Sequence, residues 1–374
     1  MLRLYRLKNY NFRLVFWLLI ISGMGVALVG SAMESLQTRQ IFGVLLGVTA
    51  MIIISLIDYS WILNFYWFIY IFNSLLLLFV RLFGDTTGGA TRWLEIAGFR
   101  FQPTEPAKIM LILFFARLLM DHENDLNTVR TIFLSVVLLA LPLALVLIQP
   151  DLKNTIMIVA VFCLLMYVAG LSYKIIGGTI LVIIPLVIIY LVLVTQTDLP
   201  IIQDYQKKRV MAFFYPDDEQ YQDSNTQQDN SIIAIGSGQL RGKGLKNNEV
   251  SANNGNFVSQ IQTDFIFAVA GEELGFVGSA ALIILEFLIS IECIVTSRKA
   301  KDLSGTLICC GVGSVIALQS FINICVATGL FPNTGTPLPF VSYGLTSLVS
   351  LYIGAGFVLN VGLQNRTYPG GEKT

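Results

Sequence analysis

Residues 131–149 read TIFLSVVLLALPLALVLIQ, a run with no Lys, Arg, Asp or Glu. A bilayer's hydrocarbon core is crossed by about 20 apolar residues of helix, so lipid, not a buried core, is the natural solvent of this stretch. Similar runs recur in both directions along the chain. Spans are predicted near 14–32, 40–57, 61–83, 105–120, 131–149, 155–171, 174–196, 276–297, 305–330 and 340–363. Composition agrees: of 374 residues, 55% are hydrophobic and 13% charged, with a mean hydropathy of +0.71, whereas a soluble domain carries roughly 25% charge. The expected fold class is an all-α integral membrane protein, one polytopic domain of about ten transmembrane helices.

The formal net charge is zero, so the placement of charges says more than their balance. Lys and Arg close to span ends set orientation. Arg3, Arg6, Lys8 and Arg13 lie at the first span, Arg298, Lys299 and Lys301 follow the eighth, and Arg366 and Lys373 lie in the tail. All fall on one side if both termini are cytosolic, which puts the loops 84–104 and 197–275 outside. The long loop holds Lys207, Lys208, Arg209, Arg241, Lys243 and Lys246, but long loops translocate largely regardless of charge. Its Asp/Gln/Asn-rich middle, 217–230, is expected to be flexible. The basic leader, with no small-residue cleavage site after the apolar run, reads as a cytosolic start before the first span, not a cleaved signal. Cys163, Cys293, Cys309, Cys310 and Cys325 sit in apolar runs and read as small hydrophobes. His122, inside a charged run, reads as part of a cytosolic turn.

Polar residues concentrate in five places. Gly88 to Leu94 contains Arg92 and Trp93, and Gln102-Pro103-Thr104-Glu105-Pro106-Ala107-Lys108 follows. Thr104 is expected to cap a helix. Glu105 and Lys108, at i and i+3, share a helix face and can pair. A structural ion pair is the plain reading; ionisable groups at the start of an apolar span more often face a cavity or substrate path. Gln149 to Thr155 reads as a tight turn. Ile235 to Gly244 is glycine-rich with Arg241 and Lys243, which suits either a phosphate-approaching backbone or a flexible loop. Gln262 to Gly275 predicts a short helix on the outer interface, with Thr263 as its cap and Asp264 at its start. Gly329 to Gly344, with three prolines, predicts a rigid reentrant segment buried in protein or lining a wet cavity.

These clusters, in this order, resemble the SEDS (shape, elongation, division and sporulation) family over nearly the whole chain. The strongest pieces are Thr263-Asp264-Phe265-Ile266-Phe267-Ala268 with Glu272-Glu273-Leu274-Gly275, and Gly335-Thr336-Pro337-Leu338-Pro339-Phe340 with Ser342-Tyr343-Gly344. Arg92-Trp93, Gln102 to Glu105 with Lys108, and Gln149-Pro150-Asp151-Leu152 add to them. The short leader and tail look most like the elongation members. The resemblance implies a ten-helix fold that polymerises lipid II into glycan strands for cell elongation and shape, in partnership with a class B penicillin-binding protein. It carries Asp264 over as the essential acid, with Glu105 and Lys108 as site residues. Three departures stand out. The family's Pro-Glu and His before Thr-Asp-Phe are Ser259, Gln260 and Gln262 here. Its Asp-Leu-Gly-Thr is Asp151-Leu152-Lys153-Asn154, and its Ser-Tyr-Gly-Gly-Ser-Ser is Ser342-Tyr343-Gly344-Leu345-Thr346-Ser347.

The expected chemistry is attack of an acceptor hydroxyl on the anomeric carbon of a lipid-linked sugar. Asp264 is the expected general base. Substrate is expected to meet Glu105, Lys108, Arg92, Trp93, Arg209, Arg241, Lys243 and Ser342, the cations among them serving the phosphates. A divalent cation, Mg2+ or Mn2+, is a candidate assistant, although no metal cage is legible. Rival readings are a flippase for the same lipid, a division or sporulation paralogue, and a silent scaffold. The long outer loop favours the enzyme, because a flippase wants its polar groups at mid-membrane.

Overall fold

The computed structural model describes residues 10–87, 90–96, 99–178, 181, 185, 211, 222–248 and 260–364. The apolar runs form helices close to the expected bounds: α1 (Phe12–Ala32), α2 (Glu34–Leu56), a short α3 (Tyr59–Leu63), α4 (Tyr66–Phe83), α5 (Thr104–Asp121), α6 (Val129–Ile148), α7 (Leu152–Val168), α8 (Gln222–Ser237), α9 (Ile266–Ser297), α10 (Leu303–Ala327) and α11 (Leu345–Leu363). Among the described residues, α1, α2, α4, α6, α9, α10 and α11 are long and apolar enough to cross a membrane. At 18 residues α5 is long enough too, but it carries Glu105, Lys108, Arg117 and Asp121. Helix α7 is apolar and 17 residues long. The span expected at 174–196 lies mostly outside the described residues, as do Arg209, the leader and the tail. The chain is a multi-pass, essentially all-α membrane protein.

Helices α5, α10 and α11 form the middle of the bundle. Helix α11 packs on α2 and α5, and α10 packs on α9, α5 and α7. Outer helices keep apolar faces uncovered: Phe68, Phe72, Leu75 and Phe79 of α4 are all exposed. Such a stripe is a liability in water but is what lipid solvates, provided the backbone is satisfied within the helix. The expected 61–83 span is split. Asp58 accepts the Ser60 amide at 2.8 Å and starts α3, and the chain turns at Asn64 and Phe65 before α4.

Polar side chains staple the bundle end that holds the start of α1. Asn11 caps α1 and donates to Glu292 Oε2 of α9 at 3.0 Å. The Tyr59 hydroxyl donates to Asp302 at 2.8 Å, and Asn360 of α11 accepts the Tyr59 amide at 2.9 Å while donating to the Ser55 carbonyl at 2.8 Å. Each bond joins segments far apart in sequence across a face where backbone groups would otherwise go unmet.

Three local expectations change. Within 84–104 the chain forms an antiparallel meander of β1 (Asp85–Thr87), β2 (Ala90–Ile96) and β3 (Phe99–Phe101), with Asp85 opposite Trp93 and Glu95 opposite Arg100. The stretch expected to be flexible, 217–230, runs from 222 into α8, tied down where Gln228 donates to the Val326 and Phe331 carbonyls, both at 2.7 Å, and Ser231 to Ala327 at 2.8 Å. The segment from Ile266 to Ala270, expected as a short surface helix, has all five residues buried in protein. It continues into α9 through a kink at Gly275, whose φ of 65° only glycine adopts readily.

Candidate active site

Asp264 closes a turn that starts at Gln260, whose carbonyl accepts the Asp264 amide at 3.0 Å. Thr263 does not cap α9 as expected. Its hydroxyl donates to the Gln260 carbonyl at 3.1 Å, and Phe265 stands at the N-cap position, making no side-chain cap bond. What fixes the turn is the segment ahead of α11. The Tyr343 amide donates to Gln262 O at 2.8 Å, and the Ser342 hydroxyl donates to Thr263 O while accepting the Leu338 amide at 2.7 Å. From α10, Asn323 Nδ2 donates both to Asp264 O at 2.8 Å and to Thr336 O at 2.6 Å. The rigid reentry expected at 329–344 is thus sewn to the Asp264 turn by a backbone hydrogen bond and by the Ser342 and Asn323 side chains.

Gly335 sits at the centre of this seam. Its φ is +70°, and a Cβ there would lie 2.9 Å from Asp264 Oδ2. The conformation favours glycine, and a methyl there would displace the Asp264 carboxylate. The same position is bordered by a lysine. Lys153 Nζ donates to the Gly335 carbonyl and would stand 3.9 Å from that Cβ. The half-buried carboxylate of Asp264 and the half-buried ammonium of Lys153 therefore flank one residue.

Glu105 and Lys108 are brought to the same end but sealed. They are 3% and 4% exposed, with Lys108 Nζ 3.2 and 3.1 Å from the two Glu105 oxygens and 3.2 Å from Gln319 Oε1. Gln319 in turn donates to Pro337 O at 3.1 Å. Gln319 and Asn323 are one turn apart on α10, so the buried pair and the Asp264 turn hang on the same face of one helix. Thr104 also fails as a cap: it is the first residue of α5, and its hydroxyl accepts from Asn154 Nδ2 at 3.0 Å. The neighbouring Asp151 is fully buried and caps α7, accepting the Asn154 amide at 3.4 Å and its side-chain amide at 2.8 Å. These bonds fix the turn from Gln149 to Thr155 around Asp151.

The remaining expected site residues are scattered. Arg92, from β2, donates to the Gln149 carbonyl at 3.3 Å and to the Pro150 carbonyl, so it braces the turn that carries Lys153. Trp93 is half-buried beside it. Ser342 is buried and acts through the backbone seam. The glycine-rich segment is a clasp on the α9 kink. Lys243 N and Gly244 N donate to the Glu272 and Glu273 carbonyls at 3.0 and 2.9 Å, and a Cβ on Gly275 would lie 2.2 Å from Gly242 N. Lys243 Nζ meets Glu272 Oε1 at 2.6 Å, and Glu272 is fully buried. Arg241 is exposed on this clasp, its backbone against Gly275, roughly 15 Å along the helix from Asp264 by the rise per residue. Lys153, outside the expected set, is brought to this seam, and its only mark in the sequence is the Asp-Leu-Lys-Asn departure. Among the described residues, no group of three or more His, Cys, Asp or Glu is placed to hold a metal ion, so the carboxylates here do not form a cage for Mg2+ or Mn2+.

The comparisons with known proteins point one way. The peptidoglycan glycosyltransferase MrdB of Escherichia coli K12 is 32% identical over 329 residues, 87% of this chain and 85% of MrdB. A probable peptidoglycan glycosyltransferase FtsW of Geobacter metallireducens is 30% identical over 386 residues, 98% of either chain. A chain from a structure of a peptidoglycan synthase complex, concerned with coordination of polymerisation and crosslinking, superposes with a TM-score of 0.79 at 26% identity, covering 96% of this chain and 99% of that one. The rod-shape-determining protein RodA of Thermus thermophilus shares the fold, with a TM-score of 0.69 at 24% identity over 94% of this chain and 96% of RodA. The sequence model of the cell cycle proteins FtsW, RodA and SpoVE matches residues 9–367, and this chain belongs to that family.

Proposed function

We propose that this chain, a peptidoglycan glycosyltransferase like its relatives, joins lipid II units into glycan strands with Asp264 as general base. The observation that carries the assignment is the placing of the Asp264 carboxylate beside Gly335, on two segments joined by the Tyr343–Gln262 backbone bond and by Ser342 and Asn323. A base must hold its position in the transition state, and a carboxylate on a fixed backbone does so with little reorganisation. The acceptor hydroxyl bonds through oxygen to the anomeric carbon while the bond from that carbon to the polyprenyl diphosphate breaks. Asp264 takes the hydroxyl proton, and the diphosphate leaves with the bonding electrons.

A narrow cleft between α5, α6 and α7 is lined by Lys108, Leu111, Phe115, Leu139, Phe162 and Leu165. Its apolar walls suit a polyprenyl tail. Glu105 and Lys108 act by positioning: their bond to Gln319 holds the Pro337 segment in register. The basic residues at the span ends favour an active site on the outer face of the cytoplasmic membrane, with both termini cytosolic. The synthase complex to which the fold is similar supports a class B penicillin-binding protein as the partner that crosslinks the strands.

Purified chain given lipid II should make strands visible on a gel, and Asp264→Asn should make about 10²–10⁴-fold fewer per unit time while melting at the wild-type temperature. Lipid II moved across vesicles without strands would replace this reading with the flippase. Near-normal synthesis by Asp264→Asn would move the base elsewhere.

A further inference from the structure

We infer that Lys153 is the diphosphate-binding residue of this site, holding the leaving group of the lipid-linked sugar donor beside Asp264. The inference deepens the reading above and rests on it for the identity of the donor. Its ground is position. Lys153 Nζ donates to the Gly335 carbonyl, and Asp264 Oδ2 lies 2.9 Å from where a Cβ on the same glycine would stand. An ammonium has three donors, and the carbonyl takes one of them.

The other cations expected at the phosphates are otherwise engaged. Lys108 is sealed against Glu105, Lys243 is bonded to the buried Glu272, and Arg92 holds the carbonyls of Gln149 and Pro150. Arg241 is on the clasp, and Arg209 lies outside the described residues. A reaction that expels a diphosphate builds negative charge on the leaving oxygen, and a fixed cation beside it offsets that charge. Nor does helix stability explain Lys153. It occupies the first turn of α7, where the helix dipole disfavours a cation, and Asp151 already caps that end. Arg92 completes the arrangement from behind, gripping the turn on which Lys153 stands. In the step itself Lys153 stays protonated. The electron pair of the broken C–O bond goes to the diphosphate oxygen, and the charge that appears there is met by the ammonium.

The test measures binding, not turnover. Farnesyl diphosphate and farnesyl monophosphate are titrated into the full chain in detergent at pH 7, in the wild-type and Asp264→Asn backgrounds, with Lys153→Met, Lys153→Gln and Lys153→Arg added in turn. Loss of a charge-assisted contact weakens diphosphate affinity about ten- to hundredfold. We expect that loss in Lys153→Met and Lys153→Gln, a smaller loss for the monophosphate, and recovery of most of the affinity in Lys153→Arg. A merely structural lysine would weaken both ligands alike or neither. The inference is overturned by diphosphate affinity that is unchanged in both neutral variants that retain the wild-type melting temperature, by equal loss of both ligands, or by a wild type that does not bind the diphosphate. Lys153-dependent binding in a wild type that makes no strands would sink the polymerase reading and leave this one standing. Strands made with Lys153-independent binding would do the reverse.

Discussion

Two lysine and carboxylate neighbourhoods lie at the same end of this bundle, and they are built for different work. Glu105 and Lys108 are consecutive turns of one buried helix, 3% and 4% exposed, closed by Gln319. Asp264 and Lys153 come from segments far apart in sequence, are half-buried, and meet across the backbone of Gly335. The charged atoms of the first pair are satisfied within the protein. The second leaves carboxylate and ammonium half-buried at a loop seam, where the proposed mechanism brings sugar and diphosphate. Ionisable residues inside a membrane protein thus divide by what surrounds them, and burial with complete pairing marks the frame and not the chemistry.

The comparison can be broken at several points. The largest loss of stability is expected from Glu105→Gln, which strands the Lys108 charge in a buried site at a cost of about 3–5 kcal/mol. Adding Lys108→Met should restore part of it, and equal melting temperatures for wild type, single and double variant would show the two are uncoupled. Lys243→Met removes a partner of the fully buried Glu272 and should cost about 1–3 kcal/mol, read as an earlier melting transition, with the α9 kink opening to proteolysis first. Gly335→Ala forces a side chain into a φ of +70° at about 1–2 kcal/mol. The same methyl displaces Asp264, so strand synthesis should fall about a hundredfold, out of proportion to the stability lost. Asp121→Asn breaks an exposed pair with Arg117, 3.1 Å apart one turn away on α5, and should change stability by about 0.5 kcal/mol or less. A large effect there would mean that the helix end is not solvated as its exposure indicates.

Much of this was legible in the sequence, for a physical reason. A spanning helix is recorded in composition, because every residue facing lipid must be apolar, and so the run at 131–149 lies within one or two residues of α6 (Val129–Ile148). The proline-rich reentry was legible because non-helical backbone is costly at membrane depth and therefore stands out, whereas Asp264 is singled out by its motif resemblance. What escaped was decided by tertiary contact. The glycines at 238, 242 and 244 read equally well as a phosphate loop. Only their approach to the Glu272 and Glu273 carbonyls makes them a clasp. Helix α8 begins in a stretch whose Asp, Gln and Asn content predicted flexibility, and it is held by Gln228 and Ser231 bonding to the end of α10. Caps were assigned to Thr104 and Thr263 by residue type, but both hydroxyls found partners in other geometry. Lys153 was visible as a departure from the family pattern, yet nothing local shows that α7 would deliver it to Gly335.

The measurement that most directly tests the division between frame and chemistry sets Asp264→Asn beside Glu105→Gln, each scored for melting temperature and for strand synthesis from lipid II. Asp264→Asn should melt with the wild type and lose about 10²–10⁴ in rate, whereas Glu105→Gln should melt well below it and lose activity in step with the folded fraction. The opposite pattern, an active Asp264→Asn or a stable but inactive Glu105→Gln, would place the chemistry at the buried pair and contradict the assignment.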